Sequence, residues 1–512
     1  MREALRRSGK AAASVPRQLP APILGLNFRD PIASLKEGDA LICDNFFPGT
    51  GSLRLRKGYA AFATGLPGQV ETLMEYAGAT RQYFAASGGG IYNITAGGAV
   101  GAPALSGLQG NHWYSTSFAT GAGTFLVAVN GFDGVTTFDG TDWATQIITG
   151  TDAQAFRGVV AHKSRLWFWA NGGTKAWYLG TQAIAGAATE FDFGPKFTRG
   201  GSIAFLASVS FDSAGTGLNV ALVVVSTNGE MLIYQGQDPA SAQTWSYTQT
   251  YRVGAPTGLR SHTQYGSDLV IMTESGLVST KGLMEVGVEQ ANRVTASSKI
   301  DRVLIEQRNA NENDYRWQLF VYPAGAMAFL NAPQAGNVET QQWVVNTITG
   351  AWGRFRAIPA NHWCLFDGIA HFGGNGVVYR YGAASSDAGK AIVGEIKSGF
   401  STFKTAAQKR FTMIRPVISA NGDPRPVMSL DTDYGDVSPA ALVAVPTTEA
   451  TWDVSLWNAS VWGGGSRVNQ RWTVCGAIGV SAAFRYKSST VGFDIELHAV
   501  DLIVEAGTVA AL

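Results

Sequence analysis

The sequence is short of charged residues, of cysteine and of long apolar runs, and each shortage excludes a class of protein. Charged residues make up 15% of the 512 residues, against roughly 25% in ordinary soluble domains. The 39 Lys and Arg nearly balance the 38 Asp and Glu, which leaves a formal net charge of +1. So balanced a chain is not expected to grip nucleic acid or an anionic membrane through its overall field.

The few cysteines exclude a disulfide-stapled fold. Cys43, Cys364 and Cys475 are odd in number and lie far apart, which fits neither a disulfide framework nor a zinc site. We predict that all three are reduced, small apolar residues of a protein made in a reducing cytoplasm. No apolar run approaches the roughly 18 residues that a membrane helix needs.

Catalytic and cofactor-binding motifs are also missing. There is no G-x-S-x-G elbow, no P-loop, and no G-x-G-x-x-G that leads into a helix; the Gly run at 88–90 is predicted in a hairpin. The histidines lack a paired metal spacing and are predicted to be packed or surface residues. They are His112, His162, His262, His362, His371 and His498. His362 and His371 are candidates for neighbouring strands. We therefore predict no catalytic residue, no metal, no cofactor and no enzymatic activity.

Two segments match site motifs only in part. DTDYGD (431–436) lacks the third oxygen donor, the placed Gly and the closing Glu of an EF-hand calcium loop, so a solvated turn is predicted. TFDGTDW (137–143) is similar to the Asp-box of sialidase propellers, but Asp139 and Gly140 are adjacent, so one residue is missing. A glycosidase would also need two carboxylates facing one sugar site.

The chain is rich in glycine and aromatic residues, arranged in one recurring phrase. An apolar strand is followed by a Gly, Asn or Asp turn and then by a strand with an aromatic residue. The phrase occurs at 81–95, 124–143, 165–180, 221–236, 268–282, 316–330 and 362–382. The roughly 40–50-residue spacing is typical of four-stranded propeller blades. It predicts an all-β fold, a β-propeller of six blades with a candidate seventh, and no amphipathic helix; a stack of β-sandwiches is the alternative.

The stretch QQWVVNTITGAWGRF (341–355) is predicted to be a β-hairpin whose turn ends at Gly350. We interpret Trp343 and Trp352 as packing residues that brace this hairpin from both strands.

The texture of the sequence changes at both ends of the repeats. We predict a mobile basic arm at 1–22, strands at 23–67, the propeller at 68–395 and an antiparallel β domain at 396–512. The strands at 23–67 are candidates for completing that last domain. An arm that becomes ordered against a neighbouring subunit is the alternative for 1–22.

Two basic clusters are candidates for a groove that binds nucleic acid. Arg54, Arg56 and Lys57 lie in one predicted strand, and Lys409 and Arg410 in another. We interpret each cluster as a polar sheet face, since no recognition helix accompanies it.

One known family resembles this chain over residues 24–506. The opening LNFRDPIASLKEGDALICDNFFPGTGSLRLRKGY (26–59), the phrase NTITGAWGRF (346–355) and the strands from 409 onward are similar to the tail nozzle proteins, or tail tubular proteins B, of short-tailed bacteriophages. The shared segments are turns and strands without a catalytic signature.

The resemblance implies a structural virion protein made in the host cytoplasm. It implies a homo-hexameric ring at the distal end of the tail, below the adaptor ring, whose channel retains and then conducts the double-stranded DNA genome without sequence-specific binding. Tail fibres or spikes would dock on it, and the host cell envelope would meet it during infection. Two other functions stay open: a carbohydrate-binding or carbohydrate-degrading propeller of a phage tail, and an adhesion or scaffold propeller of a bacterial cell.

Overall fold

A computed structural model describes most of the chain. The described residues are 14–213, 217–286, 295–334 and 340–437, with 442, 444–446, 467–469 and 471–506. Within them nearly every element is a β-strand, so the predicted all-β class is confirmed. No helix among these residues combines the length and the apolar character that crossing a bilayer requires.

The chain divides into two compact units. The propeller unit comprises Tyr59–Val344 and Arg356–Ala383, and the terminal unit comprises Met1–Gly58, Val345–Phe355 and Ala384–Leu512. The propeller unit therefore begins at residue 59 and ends at residue 383, whereas the predicted bounds of the propeller are 68 and 395.

The propeller unit contains seven blades within the described residues, so the candidate seventh blade is present. Neighbouring blades contact each other in chain order, and the seventh contacts the first. Most blades are antiparallel sheets of four strands. From the inner strand outward, blade 1 is Thr72–Tyr76, Gln82–Ser87, Gly90–Asn93 and Leu105–Ser106, and blade 2 is Tyr114–Thr120, Gly123–Val129, Val135–Phe138 and Trp143–Gln146. Blade 3 is Phe156–His162, Arg165–Ala170, Lys175–Tyr178 and Thr189–Asp192. Blade 4 is Ile203–Ser213, Gly217–Ser226, Glu230–Gly236 and Trp245–Arg252.

The remaining three blades complete the ring. Blade 5 is His262–Tyr265, Asp268–Thr273 and Gly276–Ser279; blade 6 is Gln318–Tyr322, Met327–Pro333 and Thr340–Asn346; blade 7 is His362–Phe366, Ile369–Gly373, Asn375–Ala384 and Gly58–Gln69. Short parallel pairs add Gly98–Ala99 to Gly58–Gln69 and join Ile148–Thr149 to Gly186–Ala187. Single 3-10 turns lie at Ala153–Ala155, Gly194–Lys196 and Pro323–Gly325.

Blade 7 closes the ring because its outer strand comes from the other end of the repeats. Gly58–Gln69 pairs with Asn375–Ala384, and its Ala63 and Leu66 are buried in a cluster with Val70, Tyr83 and Val378. Such a strand holds the two ends of the propeller sequence together through a sheet.

Glycine makes the tight turns that the phrase predicts. In blade 1 the turn between the second and third strands contains Gly88 and Gly89, with φ of 56° and 77°. Only glycine adopts this region without steric cost, so the apolar strands on either side can pair directly.

The absence of amphipathic helices was predicted, and the described residues contain two short helices that this prediction did not anticipate. Helices Thr280–Val286 and Asp301–Asn311 follow the third strand of blade 5. The second helix buries only Leu304 among its apolar residues, so its sequence carries almost no periodic signal. Its Glu, Gln, Arg and Leu residues nevertheless have good helix propensity.

The terminal unit is built from two sheets that contain strands from both ends of the chain. Strands from 23–58 therefore do complete the C-terminal domain, as the candidates at 23–67 suggested. The first sheet contains Phe46–Pro48, Leu53–Leu55, Ile495–Ala506, Lys409–Ala420, Ser14–Pro20, Arg467–Asn469 and Thr473–Gly479. The second sheet contains Trp352–Phe355, Gly25–Leu26, Asp39–Asp44, Ile392–Ser398, Ala482–Val491, Val427–Thr432 and Val445–Pro446. A 3-10 turn lies at Ile32–Ser34. The sheets pack on each other where the ring of Phe46 meets that of Tyr486 edge-on, with centroids 5.8 Å apart.

Part of the predicted mobile arm is a strand. Ser14–Pro20 pairs antiparallel with Ile495–Ala506 over its whole length, and Gln18 Nε2 donates to Asp501 Oδ1 at 2.9 Å. The pairing satisfies the backbone groups of a segment whose composition alone gives no strand pattern. The preceding residues, 1–13, lie outside the described part.

Candidate functional site

The inner strands of five blades begin around one cavity on the propeller axis. It has a volume of about 220 Å³. The first residues of five inner strands line it, together with Trp113 and Arg260, which lie just before two of those strands. Its lining is Thr72, Leu73, Trp113, Tyr114, Ser115, Arg260, His262, Gln318, Leu319 and His362. We call it the axial cavity. Its lining has no carboxylate, so it lacks the acid pair that glycoside hydrolysis requires.

Arg260 lies just before the inner strand of blade 5 and is the charged group of this cavity. The residue is 8% exposed. Its Nη2 donates to Thr72 Oγ1 at 2.8 Å, to Trp113 O at 3.2 Å and to Glu71 O at 3.4 Å, whereas its Nη1 has no hydrogen-bond partner among the described residues. Burial lowers the pKa of Arg260 to about 10, which still leaves the guanidinium charged at neutral pH.

His262 and Tyr114 form a pair beside Arg260. Tyr114 Oη and His262 Nε2 are 3.0 Å apart, and the imidazole stacks on Phe205 with centroids 3.8 Å apart. Burial lowers the pKa of His262 to about 3 and raises the pKa of Tyr114. Both side chains are therefore neutral at pH 7.

His362 is held in one tautomer. Its Nδ1 accepts a hydrogen bond from the Leu73 backbone N–H at 3.0 Å, and burial, with the charge of Arg260, lowers its pKa well below the ordinary value. A neutral imidazole that accepts at Nδ1 carries its proton on Nε2. His362 thus adds a donor to the cavity.

Two further grooves lie where the inner strands of blades 3 and 4 begin. One, of about 460 Å³, is lined by His112, Phe132 and Arg157 among others, and the second, of about 360 Å³, shares Arg157 and Asn171 with it. Arg157 Nη1 donates to the carbonyl oxygens of Asn130, at 2.8 Å, and His112, at 3.2 Å. Burial lowers the pKa of Arg157.

A fourth cavity, of about 560 Å³, lies further along the inner strands. Glu75 is the only acidic side chain in its lining, which also contains Tyr265, Phe320, Trp363 and Cys364. Glu75 Oε1 lies 3.3 Å from Arg81 Nη1. Burial raises the pKa of Glu75 and raises that of the Cys364 thiol to about 12, so the thiol is an inert packing group rather than a nucleophile.

Three of the histidines pack against or pair with neighbouring groups. His362 and His371 lie on adjacent strands of blade 7, as predicted. His112 pairs with Glu71, its Nε2 3.0 Å from Oε2, and stacks on Tyr315. Within the described residues no group of three or more His, Cys, Asp or Glu could hold a metal ion.

DTDYGD (431–436) contains the solvated turn that was predicted: residues 433–436 are all exposed, and only the first residue of the segment is buried. Asp431 is fully buried, and its Oδ2 lies 2.6 Å from Lys397 Nζ. Asp433 Oδ1 accepts from the backbone N–H groups of Val480, at 2.8 Å, and Ser481, at 2.9 Å. These two carboxylates bind protein donors and are therefore not available to a calcium ion, while the rest of the turn stays exposed.

The prediction of polar sheet faces is wrong for one residue in each basic cluster. Arg56 is buried and binds both carboxylate oxygens of Asp387, at 2.7 and 2.5 Å. Lys409 is also buried, and its Nζ donates to the carbonyl oxygens of Thr405, Ala407 and Val480 at 2.7–2.9 Å. Internal partners replace water around both cations, so neither is available to DNA phosphates.

The hairpin at 341–355 has the predicted turn. Asn346 Oδ1 accepts from the N–H groups of Ile348 and Thr349, and Gly350 has φ of 71°. Trp343 and Trp352 are both buried, as expected of packing residues. Trp343 donates its indole N–H to Gln307 Oε1 at 3.0 Å in the propeller unit, whereas Trp352 belongs to the terminal unit.

The axial cavity was missed from the sequence because its key residue, Arg260, stands alone in the polar stretch GLRSHTQ. The one usable signal is positional: His262 and His362 each open an inner strand, but at separations that no linear motif encodes.

Comparisons with known proteins identify no family. No family model and no curated protein matches the chain. Among solved structures it is similar to YCF48 bound to D1 peptide (10% identity, 64% of this chain and 97% of that one, TM-score 0.37). It is also similar to Raptor from Chaetomium thermophilum (12%, 64% and 29%, 0.40) and an exo-beta-1,3-galactanase from Phanerochaete chrysosporium (11%, 76% and 95%, 0.28).

Proposed function

We propose that this chain is the nozzle protein at the distal end of a short bacteriophage tail, where six copies form a ring through which the genome leaves. The sequence resemblance suggests the role, and one feature of the terminal unit supports it: an apolar sheet edge that is exposed within the described residues. Thr473–Gly479 pairs on one side with Lys409–Ala420, and its other side is unpaired among the described residues.

This edge has the character of a subunit contact. Its sequence, TVCGAIG, contains no charged residue and no proline, two of the devices by which natural edge strands avoid pairing with other chains. A third device, a break in register, is present at Gly476, whose φ is 58°. Val474 is 76% exposed and Ile478 is 58% exposed, and Val468 of the neighbouring strand is exposed as well. We assign the edge to contact with the next copy of the chain, since a closed ring uses two different complementary surfaces per subunit.

The charge balance supports a conduit role. A Lys- and Arg-rich bore would bind the phosphate backbone of the DNA and slow its exit. The chain carries a formal charge of +1, and two of its basic residues, Arg56 and Lys409, are buried against internal partners. The adaptor ring and the fibres or spikes are the other expected partners.

Changing the edge tests the proposed contact. We expect the double variant Val474→Lys, Ile478→Lys to weaken ring formation, alone or on the adaptor ring, at least tenfold, about 1.4 kcal/mol, because two charges would enter an apolar contact. Mass photometry across a concentration series measures the effect. Ile147→Lys is the matched control, since Ile147 is 77% exposed in the propeller unit. Equal assembly of both variants would remove the edge from the interface.

The role itself is tested on particles. Mass spectrometry of purified virions should detect the chain, and cryo-electron microscopy should place a ring of it at the tail tip. A chain absent from virions contradicts the proposal.

A carbohydrate-binding propeller is the second candidate, and one groove favours it. The 460 Å³ groove combines the half-exposed ring of Phe132 with the side chains of His112, Asn130, Arg157 and Asn171. An apolar ring beside several polar groups is the usual composition of a small-molecule site. Glycan-array binding that Phe132→Ala abolishes would support this function. An array without hits would contradict it, and the nozzle role would then be the one remaining candidate of the two.

A further inference from the structure

The axial cavity contains hydrogen-bond donors that no protein acceptor satisfies. Arg260 Nη1 and Trp113 Nε1 are both buried and have no partner among the described residues. Both residues line the same cavity. A buried donor without an acceptor costs about 1–3 kcal/mol, and more when charged, so the Arg260 guanidinium in particular indicates a missing acceptor.

The Tyr114–His262 pair leaves a further donor in either arrangement. If Tyr114 donates to His262 Nε2, the imidazole proton is on Nδ1, which has no partner among the described residues. If Nε2 donates instead, the Tyr114 hydroxyl proton is left over. His362, which accepts from the Leu73 N–H at Nδ1, adds an Nε2–H donor.

The local charge is positive, and Glu71, the acidic group that acts on Arg260 from a distance, does not pair with it directly. Arg260 forms no ion pair within the described part of the chain; the neighbouring Glu71 carboxylate instead lies 3.0 Å from His112 Nε2. Arg157, whose Nη1 donates to carbonyl oxygens, adds a second cation near Arg260. Buried charges in proteins are normally paired.

We propose that the axial cavity binds a small oxyanion, a phosphate or a carboxylate, between Arg260 and the N–H groups of Trp113 and His362. An oxyanion supplies several acceptor lone pairs and one negative charge, which are what the lining lacks. The volume of about 220 Å³ admits such an anion with some water, at roughly 30 Å³ per water molecule. This inference is independent of the tail role.

Anion-dependent stability tests the proposal on the full-length chain. Thermal unfolding is followed with sodium phosphate or sodium acetate against sodium chloride at equal ionic strength. We expect phosphate, acetate or both to raise the Tm of the propeller unit by about 3–6 °C at saturation. The anion that acts at the lower concentration identifies the phosphate or the carboxylate class.

Two variants localise the effect. Arg260→Gln removes the charge, and Trp113→Phe removes only the indole N–H; each should weaken the apparent affinity for the active anion at least tenfold, and the second keeps the test valid if the first fails to fold. Arg165→Gln is the control, because Arg165 is mostly buried in the same unit but pairs with Asp238 and does not line the cavity. It should bind the anion as the unchanged chain does.

Crystals soaked in selenate give a direct readout. An anomalous selenium peak within hydrogen-bond reach of Arg260 supports the proposal. Equal Tm shifts in phosphate, acetate and chloride, or an anion response unaffected by both cavity variants, would overturn it and leave water as the occupant.

Discussion

Replacing Arg56 by methionine is expected to lower the free energy of unfolding of the terminal unit by about 3–5 kcal/mol, because the change leaves a buried carboxylate without its cation. Arg56 and Asp387 are 3% and 4% exposed, and their two hydrogen bonds form a bidentate pair. Arg56 Nε also donates to Asn45 Oδ1 at 2.8 Å. Urea denaturation monitored by circular dichroism measures the loss.

The loss in Arg56→Met should depend on pH in a definite direction. Burial already raises the pKa of Asp387, and Arg56 opposes that rise, so the variant raises this pKa further. Below the unfolded pKa of roughly 3.9 the carboxyl is protonated in both states and costs little. As pH rises through the folded pKa, stability is lost, so the variant should be closest to the parent near pH 4.

The neighbouring residue provides the control. Lys57 pairs with Asp494 at 2.6 Å, but both side chains are half exposed, so Lys57→Met should change stability by at most about 1 kcal/mol. Adding Asp387→Asn to Arg56→Met should recover part of the loss. A loss in Arg56→Met no greater than in the control would contradict a structural role for the pair.

The blades were predictable because their signal is local. Each recurring phrase, such as 81–95, contains a complete strand–turn–strand unit in which glycine fixes the turn and alternation fixes the buried face. Sequence separation does not enter such a prediction. The phrase at 268–282 belongs to blade 5, where helices follow the third strand.

The long-range pairings could not be predicted in the same way. Gly58–Gln69 enters blade 7 from over 300 residues away, and Ser14–Pro20 pairs with Ile495–Ala506. Neither segment carries a local pattern that names its partner, and the proline and glycine in 58–69 obscure its strand character.

The burial of two cations could not be predicted, for a related reason. A run such as LRLRKGY reads as alternating polar and apolar residues, which predicts an exposed Arg56. Its burial depends on Asp387, more than 300 residues away. Arg260 shows the same limit at the axial cavity, where Thr72, Trp113 and His362 come from three other blades.

Trp363 is expected to be the most sensitive aromatic residue of the propeller unit, with Trp363→Ala costing about 3–5 kcal/mol. Trp363 is 1% exposed and lies on the inner strand of blade 7. Its ring stacks on Phe329 and Phe320 of blade 6, with centroids 5.0 and 5.7 Å apart, and meets Phe372 of its own blade at 4.9 Å. Truncation would therefore open a cavity between two blades next to the ring closure.

A second substitution separates packing from hydrogen bonding. Trp363 Nε1 donates to Asn331 Oδ1 at 3.2 Å, but that oxygen also accepts from Gln342 Nε2 at 2.9 Å. Trp363→Phe keeps an aromatic ring and leaves Asn331 with one donor, so it should cost only about 1–2 kcal/mol. Equal losses in both variants, measured by thermal and urea unfolding, would mean that the hydrogen bond rather than ring packing holds blades 6 and 7 together.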